Sequence, residues 1–211
     1  MTETAFPRVR RRQQDRTAQS DERMTRAAIH LLVNKGVAGT TLAAIGASAG
    51  YSRGLVTHRF GSKSGLLAHV VGYLSAEWRQ RLHAAVAERK GLAAIHSAIE
   101  ALAVFMVEEP NDLRVMYLLW YHSLDPGAEF RANVAAVHEA QRRDLAEWVR
   151  QGQATGDIHA AVDPKRAAMM LGASIAGLVF HWFVTPTLPV ADLHRQLNKD
   201  MTHLLGVRRK R

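Results

Sequence analysis

Residues 39–67 read GTTLAAIGASAGYSRGLVTHRFGSKSGLL, three short helical segments separated by glycines. A hydroxyl residue stands before each segment, namely Thr40 or Thr41, then Ser52, then Ser62. Ser and Thr are favoured N-cap residues because their hydroxyl oxygens accept hydrogen bonds from the free backbone N–H groups of the first helical turn. Gly50 and Gly61 follow the first two segments, at the position where helices typically end. The stretch predicts helices over 42–49, 53–60 and from 63 onward.

A further helix is expected immediately before this stretch. Apolar residues recur from Met24 to Leu32 at spacings of three and four, and Gly36 stands where that helix should end. Helices joined by short glycine-containing turns are typical of the helix-turn-helix motif, whose second helix enters the major groove of DNA.

The segment over 53–60 has two chemically different faces. Val56 and Phe60, with Leu55 beside them, fall on one face of a 3.6-residue helix, while Arg53 and Thr57 fall on the other. An arginine near the start of a recognition helix can donate two hydrogen bonds to guanine O6 and N7. Residues at the starts of the neighbouring helices can bind phosphates, because the free N–H groups of a helix N-terminus attract anions. The residues expected to contact DNA are Thr40, Thr41, Ser52, Arg53, Gly54, Thr57, His58, Arg59 and Lys63.

The same residues resemble the N-terminal domain of TetR-family transcriptional regulators over roughly residues 20–80. The resemblance rests on a glycine turn, a Thr-Thr pair, an Ile-Ala-like helix, a Gly-Tyr-Ser turn, a helix ending in Phe and a Ser-Lys start to the next helix. These features correspond to Gly36, Thr40, Thr41, Ile45, Gly50, Tyr51, Ser52, Phe60, Ser62 and Lys63. The resemblance implies an all-helical homodimer whose variable C-terminal domain binds a small molecule. Many relatives have Tyr where this chain has Thr57 and use it to contact the phosphate backbone. In this chain, Arg59 either supplies a phosphate contact instead or is a solvated charge.

Charge is concentrated at the beginning and end of the chain. Residues 1–65 hold 11 Lys or Arg against 4 Asp or Glu, a net charge of +7, and residues 208–211 add +4. A basic N-terminal domain favours a polyanionic partner such as double-stranded DNA. We expect residues 1–19 to form a basic, disordered arm, and the alternative is an arm that lies in a minor groove.

Beyond the motif the pattern stays helical. Helices are expected over about 92–107, 113–122, 129–153, 164–184 and 190–205, with Asp163 and Pro164 forming a typical helix start. The predicted architecture is all-α, with a helix-turn-helix domain over 20–80, a larger helical effector-binding and dimerisation domain over 81–207 and a basic tail over 208–211.

Aromatic and methionine residues in the second half suggest an effector cavity, although each single residue is equally typical of a core. The candidates, with two histidines as polar groups, are Phe105, Met106, Met116, Tyr117, Trp120, Tyr121, His122, Phe180 and His181. The existence of the cavity is implied by the resemblance.

Small residues recur on the helix over 164–184 and allow another helix to approach closely. The residues expected at a dimer interface are Ala168, Gly172, Ile175, Ala176 and Val179, and the alternative is an ordinary intramolecular core. The resemblance assigns the dimer contact to the helices over 129–153 and 164–184. The apolar run over 167–184 is marginally long enough to span a bilayer, but a buried or interface helix is favoured, so no membrane partner is expected.

Enzymatic signatures are missing from the sequence. The chain contains no cysteine, and its histidines do not have metal-ligand spacing, so neither a metal nor a cofactor is expected. The sequence predicts a cytoplasmic, sequence-specific regulator with a near-palindromic operator, most simply a repressor released by an effector. Two alternatives remain at this point: a nucleic-acid-coating protein that uses its basic termini, and a helical small-molecule-binding protein with a vestigial motif.

Overall fold

The computed structural model describes the backbone of residues 6–206 and the side chains of residues 16–206. Within these limits the fold is helical, and its one β-bridge joins Ile158 to Gly206. The helices are α1 (Phe6–Gly39), α2 (Leu42–Ala49), α3 (Arg53–Phe60), α4 (Lys63–Val86), α5 (Gly91–Glu108), α6 (Pro110–His122), α7 (Arg131–Thr155), α8 (Pro164–Val184) and α9 (Val190–Leu205). The all-α architecture predicted from the sequence is confirmed.

The first helix begins earlier than predicted. Its backbone is helical from Phe6, within the segment that we expected to be a disordered arm. The run from Arg8 to Arg16 holds no glycine or proline and is rich in Arg and Gln, which are good helix formers. The regular helix is interrupted at Gly36, whose φ of 64° and ψ of −177° are not helical. The basic tail over 208–211 lies outside the described residues.

The two expected domains share one hydrophobic core. Met24 and Leu32 of α1, Val70 of α4, Met106 of α5 and Val115 of α6 belong to a single buried cluster. The boundary expected at residue 80 falls inside α4, which continues to Val86. The N-terminal helices are therefore attached to the rest of the molecule by a continuous helix and by core contacts.

A second buried cluster lies at the far end of the molecule. It includes Leu82 of α4, Ile95 of α5, Trp148 of α7 and Met201 of α9. Asp157 supports this end, because one of its carboxylate oxygens accepts a hydrogen bond from the backbone N–H of Leu92 at 3.1 Å. Helices α7 and α8 pack along each other.

Candidate nucleic-acid interface and effector cavity

The recognition helix α3 is fixed at both ends by the residues that the sequence indicated. The Ser52 hydroxyl caps it by accepting a hydrogen bond from the N–H of Leu55 at 3.2 Å. Gly61 ends it with a φ of 71°, in the left-handed region that favours glycine. Val56 is fully buried, and the Phe60 ring lies 5.0 Å from the His69 ring of α4. One face of α3 is thus held by the core.

The opposite face of α3 is open to solvent. Ser52, Arg53, Gly54, Thr57 and His58 are all exposed. Four of them occupy the first two turns of the helix, which is where a recognition helix meets base edges. The structure therefore brings these candidates together on one free surface.

The turn between α2 and α3 allows a very close approach of backbone. A Cβ atom added to Gly46 would lie 2.7 Å from the carbonyl oxygen of Tyr51, which is too close for a real contact. Gly50 adopts a φ of 79° at the C-terminus of α2. These two glycines fix the angle at which α3 leaves α2.

The two threonines before α2 have different environments. Thr41 is exposed and caps α2, since its hydroxyl accepts from the N–H of Ala44 at 3.1 Å. Thr40 is fully buried, and its hydroxyl donates to the carbonyl of Gly36 at 2.8 Å. The expectation that the Thr40 side chain contacts DNA is therefore wrong: it closes the turn after α1.

The remaining two basic candidates make contacts within the domain. The Nε atom of Arg59 lies 3.1 Å from a carboxylate oxygen of Asp21 on α1, and the Arg59 side chain is only 28% exposed, so Arg59 is not a fully solvated charge. Lys63 is partly exposed, and its Nζ lies 3.4 Å from the carbonyl of Ala38. Such a long contact on a flexible side chain leaves the Lys63 ammonium free to reach a phosphate.

A cavity of about 280 Å³ lies among helices α4 to α8. Its apolar wall is formed by Trp78, Leu82, Ala98, Leu102, Leu113, Met116, Tyr117, Trp120, Leu145, Trp148, Met169, Gly172, Ala173, Ile175 and Ala176. Burial raises the pKa of the Tyr117 phenol, which therefore stays protonated, and its hydroxyl lies 3.4 Å from the carbonyl of Ala176. Apolar walls with few polar groups are typical of small-molecule sites.

The polar wall of the cavity comes from α7, and sequence reasoning missed it. It consists of His138, Gln141, Arg142 and Asp144. Burial, and then the charge of Arg142, lower the pKa of His138, whose ring lies 4.5 Å from the ring of Trp120. A neutral imidazole presents one donor or acceptor to a ligand. The sequence does contain an indication of this polar wall, because these residues interrupt the apolar stripe of α7 on its inward face.

Three of the nine predicted effector residues line this cavity, namely Met116, Tyr117 and Trp120. Phe105 and Met106 are instead buried in the core, and Tyr121, His122, Phe180 and His181 lie outside the cavity. The Nδ1 atom of His122 lies 2.7 Å from a carboxylate oxygen of Asp125. The cavity is therefore lined at α6 by three of the predicted residues, and its polar side chains come from α7.

The predicted dimer residues of α8 face inward. Ala168 and Val179 are buried within the chain, and Gly172, Ile175 and Ala176 line the cavity. The outer face of α8 is a different stripe, formed by Met170, Ser174, Gly177, Phe180 and Val184, which we call the α8 outer stripe. Most of this stripe is exposed apolar surface, which is typical of an interface.

Helices α5 and α8 are both long and apolar enough to cross a membrane by length and composition alone. Seven residues of α5 belong to the two buried clusters described above. Helix α8 packs along α7 and carries the cavity wall on its inner face. Helix α5 is therefore a core helix, and α8 packs on the chain through its inner face only.

Comparison with known proteins agrees with this geometry. Residues 25–70 match the model of bacterial regulatory proteins of the tetR family, and residues 91–206 match the C-terminal model of BetI-type transcriptional repressors. The chain is 26% identical over 184 residues to the HTH-type transcriptional regulator TtgR of Pseudomonas putida, covering 83% of this chain and 86% of TtgR.

Solved structures give the same result. SmeT, the repressor of the Stenotrophomonas maltophilia multidrug efflux pump SmeDEF, is 27% identical with a TM-score of 0.72, covering 89% of this chain and 91% of SmeT. A TetR transcriptional regulator from Chloroflexus aurantiacus shares the fold at 23% identity and a TM-score of 0.78, covering 92% of this chain and 99% of that chain. The C-terminal match alone spans more than half of the chain, and the N-terminal match includes the recognition helix. The chain therefore belongs to the TetR family of DNA-binding transcriptional regulators.

Proposed function

We propose that this protein is a homodimeric, cytoplasmic repressor that binds a near-palindromic operator and leaves it when an apolar, aromatic compound enters the cavity. The observation that carries the proposal is the exposed face of α3, held in place by a core that also reaches the cavity helices. Such an arrangement lets one molecule bind DNA and sense a ligand.

The proposed DNA contacts divide into two kinds. Arg53 reads a base, because its guanidinium stands free at the start of α3 and fits guanine O6 and N7 in a bidentate manner. Thr57 and His58 lie beside it on the next turn. Thr41, Ser52 and Lys63 stand at or next to helix N-termini, where phosphates are favoured.

Homodimerisation is proposed through the α8 outer stripe together with α7. The stripe exposes Met170, Phe180 and Val184, while Gly177 leaves room for a second helix to approach. A twofold axis at this surface places two recognition helices on one side of the dimer. Half-sites about 34–36 Å apart then fit two successive major grooves.

The effector class follows from the cavity wall. Trp78, Trp120 and Trp148 supply flat apolar surface, whereas His138 and Arg142 supply hydrogen-bonding groups at one side. This suits an aromatic compound with one polar substituent. A solved structure of SmeT, at 28% identity, is a complex with triclosan, a compound of this kind.

The operator is tested by selection from a random-sequence duplex library at near-physiological salt. The proposal expects an inverted repeat whose half-sites are one helical turn apart. Recovery without sequence preference, with affinity that collapses as salt rises, would instead support a nucleic-acid-coating protein.

Release is tested with triclosan as the probe. Calorimetry measures its binding to the protein, and fluorescence anisotropy measures the operator affinity with and without it. The proposal expects saturating triclosan to weaken operator binding about 5- to 150-fold. Binding without release would contradict the repressor mechanism, and no binding would contradict the effector class while leaving DNA recognition intact.

A further inference from the structure

An ion pair joins the DNA-binding part to the cavity part through α1. The Nη1 atom of Arg26 on α1 donates to a carboxylate oxygen of Asp112 on α6 at 2.8 Å. The same guanidinium lies 5.1 Å from the centre of the Tyr73 ring on α4. Arg26 therefore contacts both helices that support α1 on this side.

Asp112 lies at the start of α6 and must move when that helix moves. It is the third residue of that helix, where a carboxylate is favoured by the helix dipole, and it is only 7% exposed. The next residue, Leu113, lines the cavity, as do Met116, Tyr117 and Trp120 on the following turns. Because α6 is a single helix without a break, a ligand that displaces this wall also displaces Asp112.

The other contacts of α1 lead to the recognition helix. Asp21 lies five residues before Arg26 and pairs with Arg59 of α3 at 3.1 Å. Thr25 forms a 3.0 Å hydrogen bond with His69, whose ring packs on Phe60 at the end of α3. Polar contacts thus run from the cavity wall through α6 and α1 to α3.

We propose that Arg26 and Asp112 are positioning residues that transmit the state of the cavity to the recognition helix. The proposal rests on the function proposed above, since it assumes that cavity occupancy controls operator binding. This directional ion pair, in which the Asp112 side chain is buried and the Arg26 side chain is partly exposed, fixes α1 to α6 in one arrangement, whereas apolar contacts allow sliding. When α6 moves, α1 moves with it and reorients α3.

A different interhelical pair is less suited to this role. Arg81 of α4 pairs with Glu108 and Glu109 near the end of α5, but all three side chains are more than two-fifths exposed. Exposed ion pairs of this kind contribute little to the free energy of unfolding, because water solvates and screens both charges. The two arginines are similarly exposed, at 45% for Arg26 and 41% for Arg81, but the Asp112 side chain is only 10% exposed and is therefore more shielded from water than either glutamate.

The test replaces the unknown effector by a fixed occupant. Gly172 lines the cavity, and a Cβ atom added there meets no atom within 4 Å, so Gly172→Leu fills part of the cavity without a backbone clash. Operator affinity is measured by anisotropy for the protein with and without Gly172→Leu. The same comparison is made in the Asp112→Asn, Arg26→Met and doubly substituted backgrounds.

Gly172→Leu is expected to weaken operator binding about 5- to 150-fold in the otherwise unchanged chain. In each background that lacks the ion pair, the effect is expected to fall to less than about twofold. The double variant should lose no more coupling than either single variant, since both remove the same contact.

Asp192→Asn is the matched control, because Asp192 pairs with Arg195 within α9, outside this route. It should retain the full effect of Gly172→Leu. Thermal unfolding and light scattering check that each variant is folded and has the same oligomeric state. An undiminished effect of Gly172→Leu in folded Asp112→Asn overturns the inference. No effect in the unchanged chain overturns the proposed function on which the inference rests.

Discussion

Thr40 and Thr41 are adjacent residues of one type, and only their environments separate them. Thr41 is an exposed cap, whereas Thr40 is buried and closes the turn at Gly36. The sequence predicts that one of them begins α2 but does not show which side chain faces solvent. That difference depends on the interruption of α1 at Gly36, a tertiary feature. The presence of a capping threonine is therefore predictable from the sequence, but which of the two threonines is exposed to solvent is not.

Arg53 is expected to be the main base-reading residue. Arg53→Ala should cost about 1–3 kcal/mol of operator binding and relax the preference at one base position in each half-site, because a bidentate contact is lost. Anisotropy with the selected operator and its single-base variants measures both effects. Intact sequence preference in Arg53→Ala would show that another residue reads the base.

Lys63 provides the contrasting case of a phosphate contact. Lys63→Ala should weaken binding to all duplexes by a similar factor and reduce the salt dependence, because one counterion-releasing contact is removed. Affinity is measured from about 50 to about 200 mM salt, the range over which such contacts are resolved. A sequence-dependent loss would argue against this role.

Gly46 is expected to be required for the angle between α2 and α3. Gly46→Ala should destabilise the fold by about 1–3 kcal/mol, because its Cβ atom would lie 2.7 Å from a backbone oxygen. Gly72→Ala is the control: Gly72 is exposed on α4 with open space around it, and Ala there should stabilise by about 0.5–1 kcal/mol. Denaturant unfolding measures both, and equal effects would contradict the steric argument.

At the scale of elements, helix existence was more predictable than helix faces. Periodicity and caps placed α8 and α9 at their observed bounds, since Asp163 caps α8 through a 2.7 Å bond and Pro164 follows it. The α8 face expected at a dimer interface instead meets its own chain, which is the alternative that the sequence leaves open. Both faces of α8 carry small and apolar residues, so hydrophobicity alone does not distinguish the inner face from the outer.

The α8 outer stripe is expected to hold the dimer together. Phe180→Glu should shift the protein toward monomer, because a charge would be buried at the proposed interface. Leu204→Glu is the matched control, since Leu204 is an exposed apolar residue of α9. Sedimentation velocity measures the oligomeric state. Unchanged dimers in Phe180→Glu would place the interface elsewhere.

His138, in the cavity wall, is expected to make the stability of the folded protein depend on pH. Burial, and then Arg142, lower its pKa in the folded protein, so the unfolded chain binds more protons between that value and about 6.5. Stability should therefore fall as pH is lowered through this window. His138→Gln should reduce that loss, while His203→Gln, at an exposed position of α9, should not. Thermal midpoints at about pH 7.5 and about pH 5.5 measure the difference, and identical slopes for both variants would refute the assignment.

At the scale of the whole molecule, recognition and sensing parts are joined without a flexible linker. Helix α4 runs across the expected boundary, and the first hydrophobic cluster includes residues from α1 and from α8. The sequence predicts two functional regions because charge and motif separate them. It does not predict their shared core, since long-range packing between apolar faces leaves no local signature.

The most direct measurement of the central claim is capture of sheared genomic DNA by the purified protein, followed by sequencing, at near-physiological salt. Specific recognition by the exposed face of α3 predicts enrichment of a few fragments that share an inverted repeat, and loss of that enrichment in Arg53→Ala. Uniform recovery that disappears as salt rises, with Arg53→Ala behaving like the unchanged chain, would contradict the claim and assign binding to the basic charge alone.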